Sequence, residues 1–409
     1  MHIGTVHFYN RSFPPEIRLE KESRALIKAG HTITVLTQKI SETEQEYEKY
    51  EYHFNIVRAS IKQPGLFSSI LSKFTFLNKE YSTALNKFIE EYKPDVLHVH
   101  DFNQVPTVLR VAGKYNIPVV ADLHENMPAA LAAYRSEFTI IKKLVHAVLY
   151  NYHIWRYQQA RFLPHCSGIL VVVPEAAEVL RSVGVPGEKI IAICNTEDET
   201  TFKMDPDQAD QEITDKYKNY WMACYVGGIG PHRGLNTAVK ALPYIKGKIP
   251  NFKLVIVGAK GDQANQILSD AATLNVEDMV EVIGWQPFKK VNSYVMASKV
   301  CLVPHNDFEH THTTVPHKLF QYMICSKPVL VSSCRPLKRI VEDTKAGVVF
   351  RANDPGDLAK KFIYMYENSH ALNDMGLNGR EAALGKYAWR HDAERLIDFY
   401  AGLSSKLNQ

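Results

Sequence analysis

Short runs of residues that are apolar at nearly every position recur along this chain, with helical patterns between them. In the first half they are HIGTVHFY, HTITVLTQ, NIVRAS, DVLHVHD, PVVADLHE, GILVVVP and KIIAICN. In the second half they are MACYVGG, KLVIVGA, VEVIGW, KVCLVPH, KPVLVSS and GVVFRA. A strand that is apolar on both faces has no face to give to water, so helices must cover its sheet on both sides. Such strands with helices between them predict parallel sheets. The stretch EIRLEKESRALIKAG is one such helix, and it ends on Gly30. Glycine just past a last helical turn takes the left-handed conformation that closes it.

A chain of 409 residues exceeds one ordinary core, and two domains are expected. The polar, acidic run NTEDETTFKMDPDQADQEITDKYKN separates the two strand series and reads as a linker near residues 196–220. The expected fold class is therefore α/β, with two Rossmann-like domains facing across a cleft. The net charge of +4 does not call for a nucleic-acid partner. None of the six cysteines forms a C-x-x-C pair, and they read as reduced core residues. The start, MHIGTVHFYN, is strand-like and lacks the charged and apolar regions of a leader. No run approaches the roughly 18 apolar residues of a membrane span. A cytoplasmic protein is expected.

In open parallel sheets ligands bind beyond the carboxyl ends of the strands, so the residues just after each strand carry the candidates. In YVGGIGPHRGL, Gly227, Gly228 and Gly230 let backbone N–H groups approach a ligand, and Arg233 supplies a fixed positive charge with several donors. A helix starting near Leu235 adds its positive end. Gly258 and Trp285 follow the next two strands. In HTTVPHKLFQYM, Thr313 and Thr314 precede Pro316 in the expected first turn, His317 and Lys318 follow it, and Gln321 comes eight residues after Thr313. The amides from Val315 to Lys318 favour an anion, and Lys318 adds a cation. Taken singly, these read equally as a glycine turn with a surface arginine and a capped helix with a solvated lysine. Two helix starts with cations in one domain favour a diphosphate. His124, in ADLHENMP, reads either as a partner for a sugar hydroxyl or as a strand-end histidine bonded to backbone. HNDFEHTHTT has the composition of a metal site but no standard zinc spacing. His98 and His100 of LHVHD read as structural, or His100 and Asp101 as a cleft edge. No Walker loop, no G-x-S-x-G and no G-x-G-x-x-G after the first strand occur, which counts against a dinucleotide-binding first domain.

Together these residues resemble the retaining glycosyltransferases of the GT-B fold, family four (glycosyl transferase group 1). The resemblance runs through PPEIRLEKESRALIKAGHTITVLT, ADLHE, YVGGIGPHRGL, KLVIVGAKG, VEVIGW, TTVPHKLFQYMICSKPVLVSS and the closing YAWRHDAERLIDFYAGL. It implies an acceptor-side domain over 1–200, a nucleotide-sugar-binding domain over 201–385, and a helix over 386–409 that crosses back to the first. It implies transfer of a hexosyl or N-acetylhexosaminyl group from a nucleotide-diphosphate sugar, with retention and without a metal or other cofactor. Arg233 and Lys318 would then stabilise the leaving diphosphate, with the amides near Gly228 and His317, and His124 would contact the transferred sugar. The acceptor hydroxyl would give its proton to a phosphate oxygen of the leaving group. Two glutamates usual to the family are replaced by Thr313 and Gln321, and a usual arginine by Gly228. Gln321 still accepts from a ribose hydroxyl, without the added strength of a charged acceptor.

The expected role is synthesis of a polysaccharide on a glycan or lipid-linked acceptor. A sugar-nucleotide epimerase of the same fold and a catalytically silent nucleotide-sugar-binding or scaffold protein are the alternatives. IKQPGLFSSILSKFTFLNKEY and FTIIKKLVHAVLYNYHIWRYQQARFL are basic and aromatic at helical spacing. They read as amphipathic helices packed on a core or as a surface lying on the inner face of a membrane, which would make the protein peripheral.

Overall fold

The structure is a computed structural model that describes residues 1–50, 53–62, 65–135, 138–199, 202, 209–259 and 261–407. It divides into two units. One comprises Met1–Cys194 and Arg390–Gln409, the other Asn195–Trp389.

The first unit is built on one sheet of eight strands among the described residues: β1 (His2–His7), β2 (Thr32–Gln38), β3 (Tyr47–Lys49), β4 (Asn55–Ala59), β5 (Val96–His100), β6 (Val119–Leu123), β7 (Gly168–Val171) and β8 (Ile190–Ala192). Their order is β3-β4-β2-β1-β5-β6-β7-β8. All pairings are parallel except β3 with β4. The central strands β5 and β6 are buried at every residue, including the polar His98, His100 and Asp122. The helix Ile17–Lys28 begins at Glu16, whose side chain accepts from the Arg18 amide. It closes before Gly30, at φ +87°.

The second unit holds a wholly parallel sheet: β9 (Trp221–Val226), β10 (Phe252–Val257), β11 (Val280–Ile283), β12 (Val300–Val303), β13 (Val329–Ser332) and β14 (Gly347–Phe350), in the order β11-β10-β9-β12-β13-β14. The strand order changes direction between β9 and β12, and between β1 and β5 in the first unit. Loops leave such a point on opposite sides and open a crevice at the carboxyl ends.

The two-sheet α/β architecture is that expected, and among the described residues β3 is the one strand the sequence patterns miss. Its residues Tyr-Glu-Lys are partly or wholly exposed, and an edge strand in water carries no apolar signature. The run read as a linker is partly structured. Thr196 and Glu197 are buried, as is Phe202. The helix Gln211–Tyr217 buries Ile213 and Tyr217, an i, i+4 pair on one helical face. Residues 200, 201 and 203–208 of that run lie outside the described residues. Five of the six cysteines are buried and all six are free thiols.

Candidate functional site

At the crevice between β9 and β12, the loop after β9 runs through Gly227, Gly228 and Gly230 into a short turn, Pro231–Arg233, and then the helix Leu235–Ile245. Two close approaches fix this path. Gly227 has φ +123°, and a Cβ there would stand 2.8 Å from the Lys318 Nζ. Gly234 has φ +73°, and a Cβ there would stand 1.7 Å from the Pro304 carbonyl oxygen. Each glycine thus allows the loop to lie against the segment that leaves β12. Asn306 fastens the arrangement. Its side-chain amide donates to the Pro231 carbonyl at 2.7 Å, and its oxygen accepts from Thr237 at 3.1 Å. Gly228 has open space on its Cβ side, and its carbonyl accepts from the Tyr225 hydroxyl at 2.8 Å.

The helix His317–Ile324 starts one residue later than the sequence implies. Pro316 is its extended N-cap rather than part of its first turn. Proline there has no N–H to offer, so the first N–H groups of the helix are those of His317 and Lys318. Lys318 is buried, and its ammonium lies 3.8 Å from the centre of the Tyr225 ring. Burial, and then the nearby Arg233 charge, push its pKa well below that of a free lysine. Arg233 is half-buried and lies 3.4 Å from His305 Nε2. Burial, then Arg233, lower His232 to about 3 and also hold His305 well below the ordinary histidine range. These histidines are therefore neutral at physiological pH. Among the described residues neither Arg233 nor Lys318 has a carboxylate partner. Two cations lacking carboxylate partners, beside the first amides of a helix, have the chemistry that suits an anion.

Thr313 is buried, and its hydroxyl lies 3.1 and 3.0 Å from the Glu309 and His310 carbonyls, to which it donates. Thr314 is half-buried in the same turn. Gln321 donates from its side-chain nitrogen to Glu197 Oε1 at 2.9 Å, and His317 Nδ1 lies 3.1 Å from the same oxygen. Glu197 is buried and was hidden in the acidic run. Its only sequence signal was a carboxylate just after the first domain's last strand. Gly258 has φ +100° and packs on Gly227, and Trp285 is 64% exposed beyond β11. Among the described residues, the 305–312 histidines are not in a group that could hold a metal ion. His305 faces Arg233, and His312 Nε2 lies 2.6 Å from Asp307.

His124 belongs to the first unit, one residue past β6. Its Nε2 lies 2.7 Å from His100 Nδ1 and 3.1 Å from Asp122 Oδ2. Side chains, not backbone, hold this ring. Burial opposes its charge, but the Asp122 and Asp101 carboxylates outweigh it and push the pKa up to about 9. Asp122 accepts two bonds from Arg18, at 2.7 and 2.8 Å, and lies well below the carboxylate range. Glu22, His98, His100 and Asp122 place ligand atoms within 4.8 Å of one another. Arg18 Nε also lies 3.1 Å from Glu22, so a guanidinium already supplies the positive charge that these two carboxylates would recruit.

Two family models match the chain: Glycosyltransferase Family 4 over residues 16–199 and Glycosyl transferases group 1 over residues 206–382. The chain belongs to the GT-B glycosyltransferases of this type. It is 26% identical over 194 residues to an uncharacterised glycosyltransferase of Methanocaldococcus jannaschii, an alignment covering 47% of this chain and 52% of that one. The chain thus spans about half the length of the curated relatives it matches. The fold is shared with sucrose-phosphate synthase from Thermosynechococcus elongatus, with a TM-score of 0.78, 16% identity and 99% of each chain covered. It is shared also with HepE of Anabaena in complex with UDP, with a TM-score of 0.74, 14% identity, and 98% of this chain and 100% of that one covered.

Proposed function

We propose that the protein transfers a sugar, with retention, from a nucleotide-diphosphate sugar to a glycan or lipid-linked acceptor. The observation that carries this is the pair of cations without carboxylate partners, Arg233 and Lys318, beside the first amides of the helix His317–Ile324. When the donor bond breaks, negative charge develops on the leaving diphosphate. Preorganised cations and N–H groups stabilise it most where water is excluded, and they do so without a metal ion. Gly227 and Gly228 bring the loop backbone to the phosphates. Gln321, oriented by Glu197 through its nitrogen, keeps its carbonyl oxygen for a ribose hydroxyl. Trp285 and Gly258 line the nucleotide side, and Thr313 and Thr314 shape the turn ahead of His317. His124, charged and anchored by Asp122, donates to a hydroxyl of the transferred sugar. The acceptor proton leaves on a phosphate oxygen. The HepE structure with UDP supports a uridine nucleotide as the first donor to try.

Arg233→Ala is expected to lower turnover by about 10²-fold or more, the scale of losing a transition-state charge partner. A folded Arg233→Ala protein of unchanged turnover refutes the role. Turnover undiminished by a chelator, and a product anomer matching the donor's by NMR, are the expected outcomes for metal independence and retention. A second reading, a silent nucleotide-sugar-binding protein, draws on the Thr313 hydroxyl being committed to backbone carbonyls. Purified protein that binds the donor but neither transfers nor hydrolyses the sugar would establish it.

A further inference from the structure

The helix Ile140–Leu149 buries none of its residues. Ile140 and Ile141 are 77% and 78% exposed, and Leu144, Val145 and Val148 are exposed with them. At 100° per residue these five side chains fall within an arc of about 140° on one face. Core packing, one reading of this sequence, does not hold here. It does hold for the next helix, Tyr152–Phe162, which buries Trp155. The neighbouring helix Leu66–Thr75 packs beside the exposed one and leaves Ile70 and Leu71 in water as well. A contiguous aliphatic face of this kind marks a contact surface.

The charges select its occupant. No Asp or Glu occurs between Glu137 and Glu175. Lys142 and Lys143 flank the aliphatic arc on its two sides, and Lys73 of the neighbouring helix lies 4.9 Å from the centre of the Tyr150 ring. A second copy docking through the same face would set lysines against lysines with no acid to separate them. An anionic surface with an apolar interior complements both features, since lysine stems lie along apolar surface while their heads reach the phosphates.

We infer that the helix Ile140–Leu149 lies in the interface of an anionic lipid bilayer, its aliphatic face among the acyl chains and Lys142 and Lys143 on the headgroups. The inference deepens the lipid-linked acceptor in the proposed function, but its test reads binding and not turnover, so either can fail alone.

The full chain is floated with vesicles of phosphatidylcholine, with and without phosphatidylglycerol, at low and high salt. Recovery is expected to be about tenfold higher or more with phosphatidylglycerol at low salt, and to fall as salt screens the lysines. Leu144→Glu with Val148→Glu should abolish flotation. Lys142→Glu with Lys143→Glu should remove the preference for anionic vesicles. All four residues are exposed, so thermal midpoints should stay unchanged. Should the first pair unfold, the lysine pair still decides. Equal recovery of the unaltered protein on both vesicle types, or no effect of either pair, overturns the inference. So does a dimer seen by light scattering that Leu144→Glu with Val148→Glu dissolves while flotation is absent.

Discussion

Lys318 is a cation placed where nothing negative awaits it. Burial and Arg233 both lower its pKa, whereas a bound diphosphate would raise it by charge attraction. Binding is then coupled to proton uptake in the window between the free and bound values. Affinity should be higher below that window and weaken as pH rises through it. Calorimetry of UDP binding in buffers of different ionisation enthalpy is expected to show net uptake, and a proton count of zero would remove Lys318 from the phosphates. Gly227→Ala tests the same contact sterically. The added methyl would stand 2.8 Å from Nζ at a backbone angle of φ +123°, so donor affinity should fall about tenfold or more as the lysine is displaced. At this scale the sequence displayed its glycines and cations openly, because few side chains do their work. It hid Asn306 and Glu197, since a polar residue's value depends on partners that only folding brings near: Pro231 for the one, Gln321 and His317 for the other.

The helix His317–Ile324 shows how an element is assembled from distant parts. The sequence predicted its start to within one residue from proline and the apolar spacing behind it. What steadies its exposed side is Glu197, 124 residues upstream of Gln321. Glu197→Ala leaves the Gln321 amide free to rotate and His317 without its carboxylate. A hydrogen bond to a charged group contributes about 1.5–3 kcal/mol, so the donor KM should rise about tenfold or more with little change in kcat. A kcat loss at constant KM would place Glu197 in the chemical step instead. The elements legible in sequence were those whose burial is two-sided, such as β5 and β6. The polar edge strand β3 and the helix Gln211–Tyr217 were not, because a single exposed ladder or one i, i+4 pair leaves too little pattern.

For the whole molecule, the two units answer to different conditions, and hydrogen exchange resolves them. UDP, binding the native second unit, should raise protection in β9 and β12 by mass action. The first unit responds to protons instead. The helix Trp389–Leu407 returns to it, with the Tyr400 hydroxyl 2.9 Å from His98 Nδ1 and Asp392 accepting from the Cys194 amide. That contact lies beside the cluster of Arg18, Glu22, Asp122 and His124. His124 is raised from 6.5 to about 9, so between those values the native state holds a proton that the unfolded chain has released. Its stabilisation is complete below about pH 6.5 and is lost as pH rises through about 9, up to about 3 kcal/mol in all. After correction for the intrinsic exchange rate, protection of β5 and β6 should therefore decline across that alkaline window. His124→Gln should flatten the decline while leaving the UDP effect on β9 and β12 intact. An alkaline loss that persists in His124→Gln would assign the proton to another member of the cluster.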